Sequence, residues 1–118
     1  MSRVFISLSR FKSMAWIVLL FAGLLEIVWA YSMKLSEGFT RLVPTILTLF
    51  FVMLSFFLLS YSMKTLPLGT AYTIWAGIGV VGSFLVGILI LGESASVIRV
   101  LAAFLIFSGL ILMKISTD

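Results

Sequence analysis

The sequence predicts an all-α integral membrane protein built as a four-transmembrane-helix bundle. Three observations predict it. The chain is 63% hydrophobic and only 10% charged, against about 25% charged in soluble domains; a soluble domain of this size buries only part of its surface and has no room for so much apolar area. The apolar residues fall in four runs, each near the ~20 residues that cross ~30 Å of hydrocarbon at ~1.5 Å per residue. The breaks between runs collect charges and turn residues. A lone apolar segment in lipid must pair its own backbone groups, which requires helices, and these runs lack the short alternation of a membrane β-barrel.

The helices are expected at about 15–33, 42–63, 70–91 and 97–113. Links of a few residues make neighbouring helices antiparallel: Lys34 to Arg41, Lys64 to Gly69, and Gly92 to Ser96. Pro44 falls in the first turn of the second helix, where a missing N–H costs little. Residues 14–118 therefore form one transmembrane domain. Residues 1–13, basic through Arg3, Arg10 and Lys12, read as an N-terminal extension, partly disordered or lying at the membrane surface, with Met14 as an alternative start. A cleaved signal peptide is disfavoured, because the apolar run that follows is long, contains Glu26 and lacks an Ala-x-Ala site.

Composition also narrows function. The absence of cysteine excludes disulfides and thiolate chemistry, and the absence of histidine removes the usual metal ligand; no metal and no cofactor are expected. The net charge of +4 comes from basic residues scattered at the ends of apolar runs, a membrane-flank pattern rather than a nucleic-acid surface. No nucleotide loop or Ser/His/Asp set points to an enzyme. From Met14 onward, one face holds Lys64 and Lys114, and the opposite face holds Lys34, Arg41 and Arg99. With Arg3, Arg10 and Lys12 the count becomes five against three, compatible with insertion in both orientations.

Glu26 is the sharpest signal, as the one carboxylate well inside an apolar run. A charge there costs at least ~2.5 kcal/mol. Such an acid holds a proton readily and releases it when a cation arrives, which is the physics of proton–cation exchange. The plainer reading is a static ion pair or a neutral acid in a helix seam, but Lys34 lies two turns away and near the membrane boundary. Trp29 shares the helix face of Glu26, so its indole N–H is placed to donate to the carboxylate; a belt tryptophan is the alternative. Tyr72 and Trp75, also three apart, either wall a cation site or form an interfacial belt. Thr48, Ser55 and Ser62 share one face of the second helix at heptad spacing. They bond across an interface or to their own backbone, with Ser55 nearest mid-membrane. Gly77 and Gly79 permit a hinge or close packing, and Gly79, Ser83 and Gly87 form a small-residue stripe. Glu93 reads as a solvated loop residue.

The segment Ala22-Gly23-Leu24-Leu25-Glu26-Ile27-Val28-Trp29-Ala30, the loop Ser36-Glu37-Gly38-Phe39-Thr40-Arg41 and the run from Lys64 to Gly79 resemble the small multidrug resistance transporters, in particular their guanidinium exporter branch. The resemblance covers Met14 to the C-terminus. It implies an antiparallel, dual-topology homodimer in the bacterial inner membrane, with a paired heterodimer as a variant. It implies that Glu26 of both subunits forms one site for protons or guanidinium, surrounded by Trp29, Ser55, Tyr72 and Trp75. It also implies a helix kink at Gly77-Ile78-Gly79 and a dimer contact through the fourth helix. Thr73 and Ala76 stand where that branch commonly has alanine and threonine, which bears on substrate breadth. The expected function is proton-coupled export of guanidinium. Export of quaternary ammonium compounds and a non-transporting membrane subunit are the alternatives.

Overall fold

The computed structural model describes the backbone of residues 2–117 and the side chains of residues 13–117. Four helices follow in order: α1 (Ser2–Leu35), α2 (Leu42–Ser62), α3 (Leu68–Leu89) and α4 (Val97–Thr117). Each contains a stretch long and apolar enough to cross a membrane, 21 to 23 residues in length; in α1 that stretch is Ser13–Leu35. The helix of α1 continues back to Ser2 without a break. The side chains of Arg3, Arg10 and Lys12 lie outside the described residues.

Local chemistry sets the ends. Ser36 closes α1: its hydroxyl donates to the Met33 carbonyl at 2.6 Å and accepts the Phe39 N–H at 3.0 Å. Glu37, Gly38 and Phe39 then take three consecutive left-handed conformations, φ 49°, 74° and 63°, and turn the chain into α2. Pro67, with φ −60° and ψ 150°, precedes α3, so that helix starts at Leu68 rather than Thr70. At its other end Gly92 adopts φ +72°, and the Glu93 N–H donates back to the Gly87 carbonyl at 2.9 Å. This left-handed closure ends α3 before Ile90 and Leu91, apolar though they are. Ser96 caps α4 by accepting the Arg99 N–H at 3.2 Å. That helix runs on to Thr117, past the expected end at Met113, with Ser116 and Thr117 both donating to the Met113 carbonyl.

Packing is uneven. α1 lies against both α2 and α3, while α4 packs chiefly against α3. The small core is Ala15, Leu19 and Ala22 of α1, Leu59 of α2, Leu66, and Ala71, Ile74 and Trp75 of α3. No residue of α4 is buried. The outward faces are nearly all Leu, Ile, Val and Phe, a surface suited to lipid. Close approach of α1 and α3 depends on Gly23, where an added Cβ would sit 2.8 Å from the Ile78 Cβ.

Candidate functional site

Glu26 sits near the middle of the apolar span of α1, half-buried. Its carboxylate lies over Gly79 of α3, and a Cβ at that glycine would fall on the carboxylate itself. One oxygen, Oε2, is buried and makes no hydrogen bond within the chain. An acceptor so placed in apolar surroundings is costly to leave without a donor. The arrangement leaves room at Oε2 for a hydrogen-bond donor that the chain itself does not supply.

Three helices are tied together at the turn that precedes that carboxylate. The Trp75 Nε1–H of α3 donates to the Ser55 Oγ of α2 at 3.0 Å, and Ser55 donates in turn to the Ala22 carbonyl of α1 at 2.7 Å. Ala22 is one helical turn before Glu26, so the same carbonyl receives the Glu26 N–H in the α-helical pattern. Ser55 is fully buried and Trp75 nearly so, which makes the relay a dry, satisfied network of the kind that rigidifies its surroundings. The Trp75 ring contacts Tyr72 and Phe56, each at 5.5 Å between centroids. Tyr72 is 54% exposed, so its ring leads from the clasp to the protein surface.

The predicted residues are thus brought together to different degrees. Ser55, Trp75 and Tyr72 form one connected group, tied to Glu26 through Ala22. Gly79 supplies the space for the Glu26 carboxylate, and Gly77 supplies space for Leu110 of α4; both act here in packing within a continuous α3. Trp29 packs against the core, but its Nε1–H is buried without a partner in the chain. The expected bond from Trp29 to Glu26 is not made, because the carboxylate is drawn across to α3. Thr48 and Ser62 share the buried face of Ser55 yet bond their own backbone, at Pro44 and Leu59. Sequence reasoning missed two participants. The Ala22 carbonyl leaves no side-chain signal beyond its position four residues before the acid. Phe56 is one of several phenylalanines in α2 and nothing in the pattern singles it out. No cluster of carboxylates able to hold a metal occurs among the described residues.

Comparison with known proteins gives the family. The family model for the Small Multidrug Resistance protein matches residues 14–106. The chain belongs to the small multidrug resistance family. Its curated relatives include the guanidinium exporter of Yersinia pseudotuberculosis, 54% identical over 104 residues that cover 88% of this chain and 100% of the relative. The guanidinium exporters of Citrobacter freundii and Salmonella typhimurium are each 56% identical over 104 residues, covering 88% of this chain and 99% of theirs. As a small multidrug resistance protein with four apolar helices, the chain is a multi-pass membrane protein. The matched region contains Glu26 and the whole Ser55–Trp75 clasp.

Proposed function

We propose that this protein exports guanidinium in exchange for protons. It works as an antiparallel homodimer in the bacterial inner membrane, with Glu26 of both copies sharing one site. The observation that carries this reading is the mid-span carboxylate with an unbonded, buried oxygen, in a chain 54–56% identical to proteins named guanidinium exporters.

The chemistry follows from competition. A deprotonated carboxylate in hydrocarbon is costly to leave bare. Guanidinium is planar, and its paired N–H groups match carboxylate oxygens in bidentate geometry. A proton neutralises the same group and removes the partner for the cation. Either ligand lowers the cost of moving the acid through the apolar middle of the membrane, and the bare acid is the poorest passenger. Exchange rather than leak follows from that ordering. The Ser55–Trp75 clasp holds the turn before Glu26, Tyr72 and Trp29 line its approach, and the glycines at positions 77 and 79 give α3 room to bend as access alternates.

Two features support a second copy in the opposite orientation. α4, with no fully buried residue, offers its outward helix face for cover, and from Met14 onward the basic residues divide two against three between the two membrane faces. Inverted repeats around a midplane site are a common transporter architecture. A helical bundle fits the inner membrane, since outer-membrane spans are β-barrels.

The test is uptake of guanidinium into proteoliposomes under an imposed pH gradient, comparing wild type with Glu26→Gln. Uptake by the variant should fall to the protein-free background. Gradient-driven exchange retained by Glu26→Gln would remove the carboxylate from the mechanism. Uptake of bulky quaternary ammonium ions but not of guanidinium by the wild type would reassign the substrate.

A further inference from the structure

A second carboxylate stands at the water end of the seam that holds Glu26. Beyond Gly79 the α1–α3 seam widens into a cleft of about 150 Å³, lined by Ile27, Tyr31 and Lys34 on one side and Ser83, Gly87 and Glu93 on the other. At ~30 Å³ per water, it has room for about five waters or for a small planar cation with part of its shell. Its outer mouth is at Lys34, about 12 Å along the α1 axis from Glu26 at ~1.5 Å per residue. Its inner end is closed by Ile27, whose side chain occupies the space a Cβ at Gly82 would need.

Glu93 is an exposed loop residue, as the sequence suggests, but its carboxylate is folded back onto α3. Its backbone N–H is bonded to Gly87, and its side chain lies on the same glycine, where a Cβ would collide with Oε1. The missing side chain at Gly87 is therefore what lets the carboxylate reach the cleft. Among the described residues no ion pair joins Glu93 to Lys34 across the mouth. Arg99, the nearby cation of α4, is held by the Ser94 carbonyl at 2.6 Å and lies over the Phe84 ring. α1 and α3 both end at this face, and their C-terminal carbonyls add negative potential to the cleft. The mouth thus holds a carboxylate, two helix C-termini and the hydroxyls of Tyr31 and Ser83, opposed by one ammonium.

We infer that this cleft is a superficial cation site, in which Glu93 receives guanidinium at the membrane surface on its way to Glu26 and Lys34 competes as a tethered cation. The inference rests on the guanidinium reading of Glu26. An acid at the mouth of a low-dielectric cleft raises the local concentration of its counter-ion, an effect that salt screens.

The experiment is guanidinium uptake by proteoliposomes of the full chain, with KM and Vmax measured at low and at high potassium chloride. The proteins are wild type, Glu93→Gln, Glu93→Asp, Gly87→Ala and Lys34→Gln. At low salt Glu93→Gln should raise KM about fivefold with Vmax within about twofold, and Lys34→Gln should lower KM about twofold, both differences shrinking at high salt. Glu93→Asp should recover most of the wild-type KM, whereas Gly87→Ala should raise KM while keeping the charge, because it pushes the carboxylate out of the cleft. A merely structural Glu93 would change Vmax or yield and leave the salt dependence of KM untouched. Wild-type transport with the same KM in every variant overturns this inference and leaves the role of Glu26 standing. A wild type that moves no guanidinium overturns the central reading and this one with it.

Discussion

The first three helices and the fourth meet the same bilayer with different means. α1, α2 and α3 interleave through small residues and a hydrogen-bonded clasp: Gly23 under Ile78, Gly79 under Glu26, and Trp75 through Ser55 to the Ala22 carbonyl. α4 buries nothing. It is attached by Leu110 over Gly77, by the Lys114 ammonium 4.6 Å above the Trp16 ring, and by the Thr70 and Thr117 hydroxyls at 3.2 Å. In lipid there is no hydrophobic gain from pressing one apolar helix on another, so packing and polar bonds decide which helices hold together. On that physics α1, α2 and α3 are the more closely bonded half and α4 the more loosely attached one.

Substitutions should divide along that line. The largest effect is expected at Gly79→Val, whose side chain would occupy the place of the Glu26 carboxylate. Guanidinium uptake should fall on the order of 100-fold, as for other misplacements of a reacting group, while the helical circular dichroism is retained. A variant of wild-type activity would mean that the carboxylate does not work from its seat on α3. Ser55→Ala comes next. It strands the Trp75 indole N–H in a dry interface and deletes the bond to Ala22, and should cost about 1–3 kcal/mol in thermal or denaturant unfolding of the detergent-solubilised protein. Gly109→Leu on α4 should be mildest for the single chain, within about 0.5 kcal/mol, since a Cβ there meets nothing within 4 Å. Its expected effect is on assembly: light scattering in detergent should find the dimer weakened, and an unaltered dimer would place the partner on another face.

The fold was legible because lipid leaves little choice: a run of about twenty apolar residues has one stable backbone solution. Helix ends were less so. α3 begins and ends two residues before the apolar run suggested, as Pro67 and the left-handed Gly92 set its limits rather than Thr70 and Leu91. The acid at position 26 and the family it marks were also plain in the residues. What escaped was partnership. Thr48, Ser55 and Ser62 look alike in sequence and all are buried, yet only Ser55 reaches another helix. A hydroxyl always has the carbonyl of its own helix in reach, and it bonds across only where a neighbouring backbone comes close enough. The same gap between spacing and contact separates Trp29 from Glu26, and it hid the seat that Gly87 makes for Glu93.

The turn between α1 and α2 carries a mechanical consequence. Two of its left-handed residues are not glycine, Glu37 and Phe39, at roughly 1–2 kcal/mol each. The strain is held by the Thr40 and Arg41 N–H groups, both donating to the Ser36 carbonyl at 2.9 and 3.1 Å, and by the buried Ser36 hydroxyl. A joint wound this tightly has no slack to lengthen or unwind. The hairpin it closes should swing as one stiff lever, so that the acid travels with both of its arms, and the yielding part of the stroke must fall on the helix that faces them.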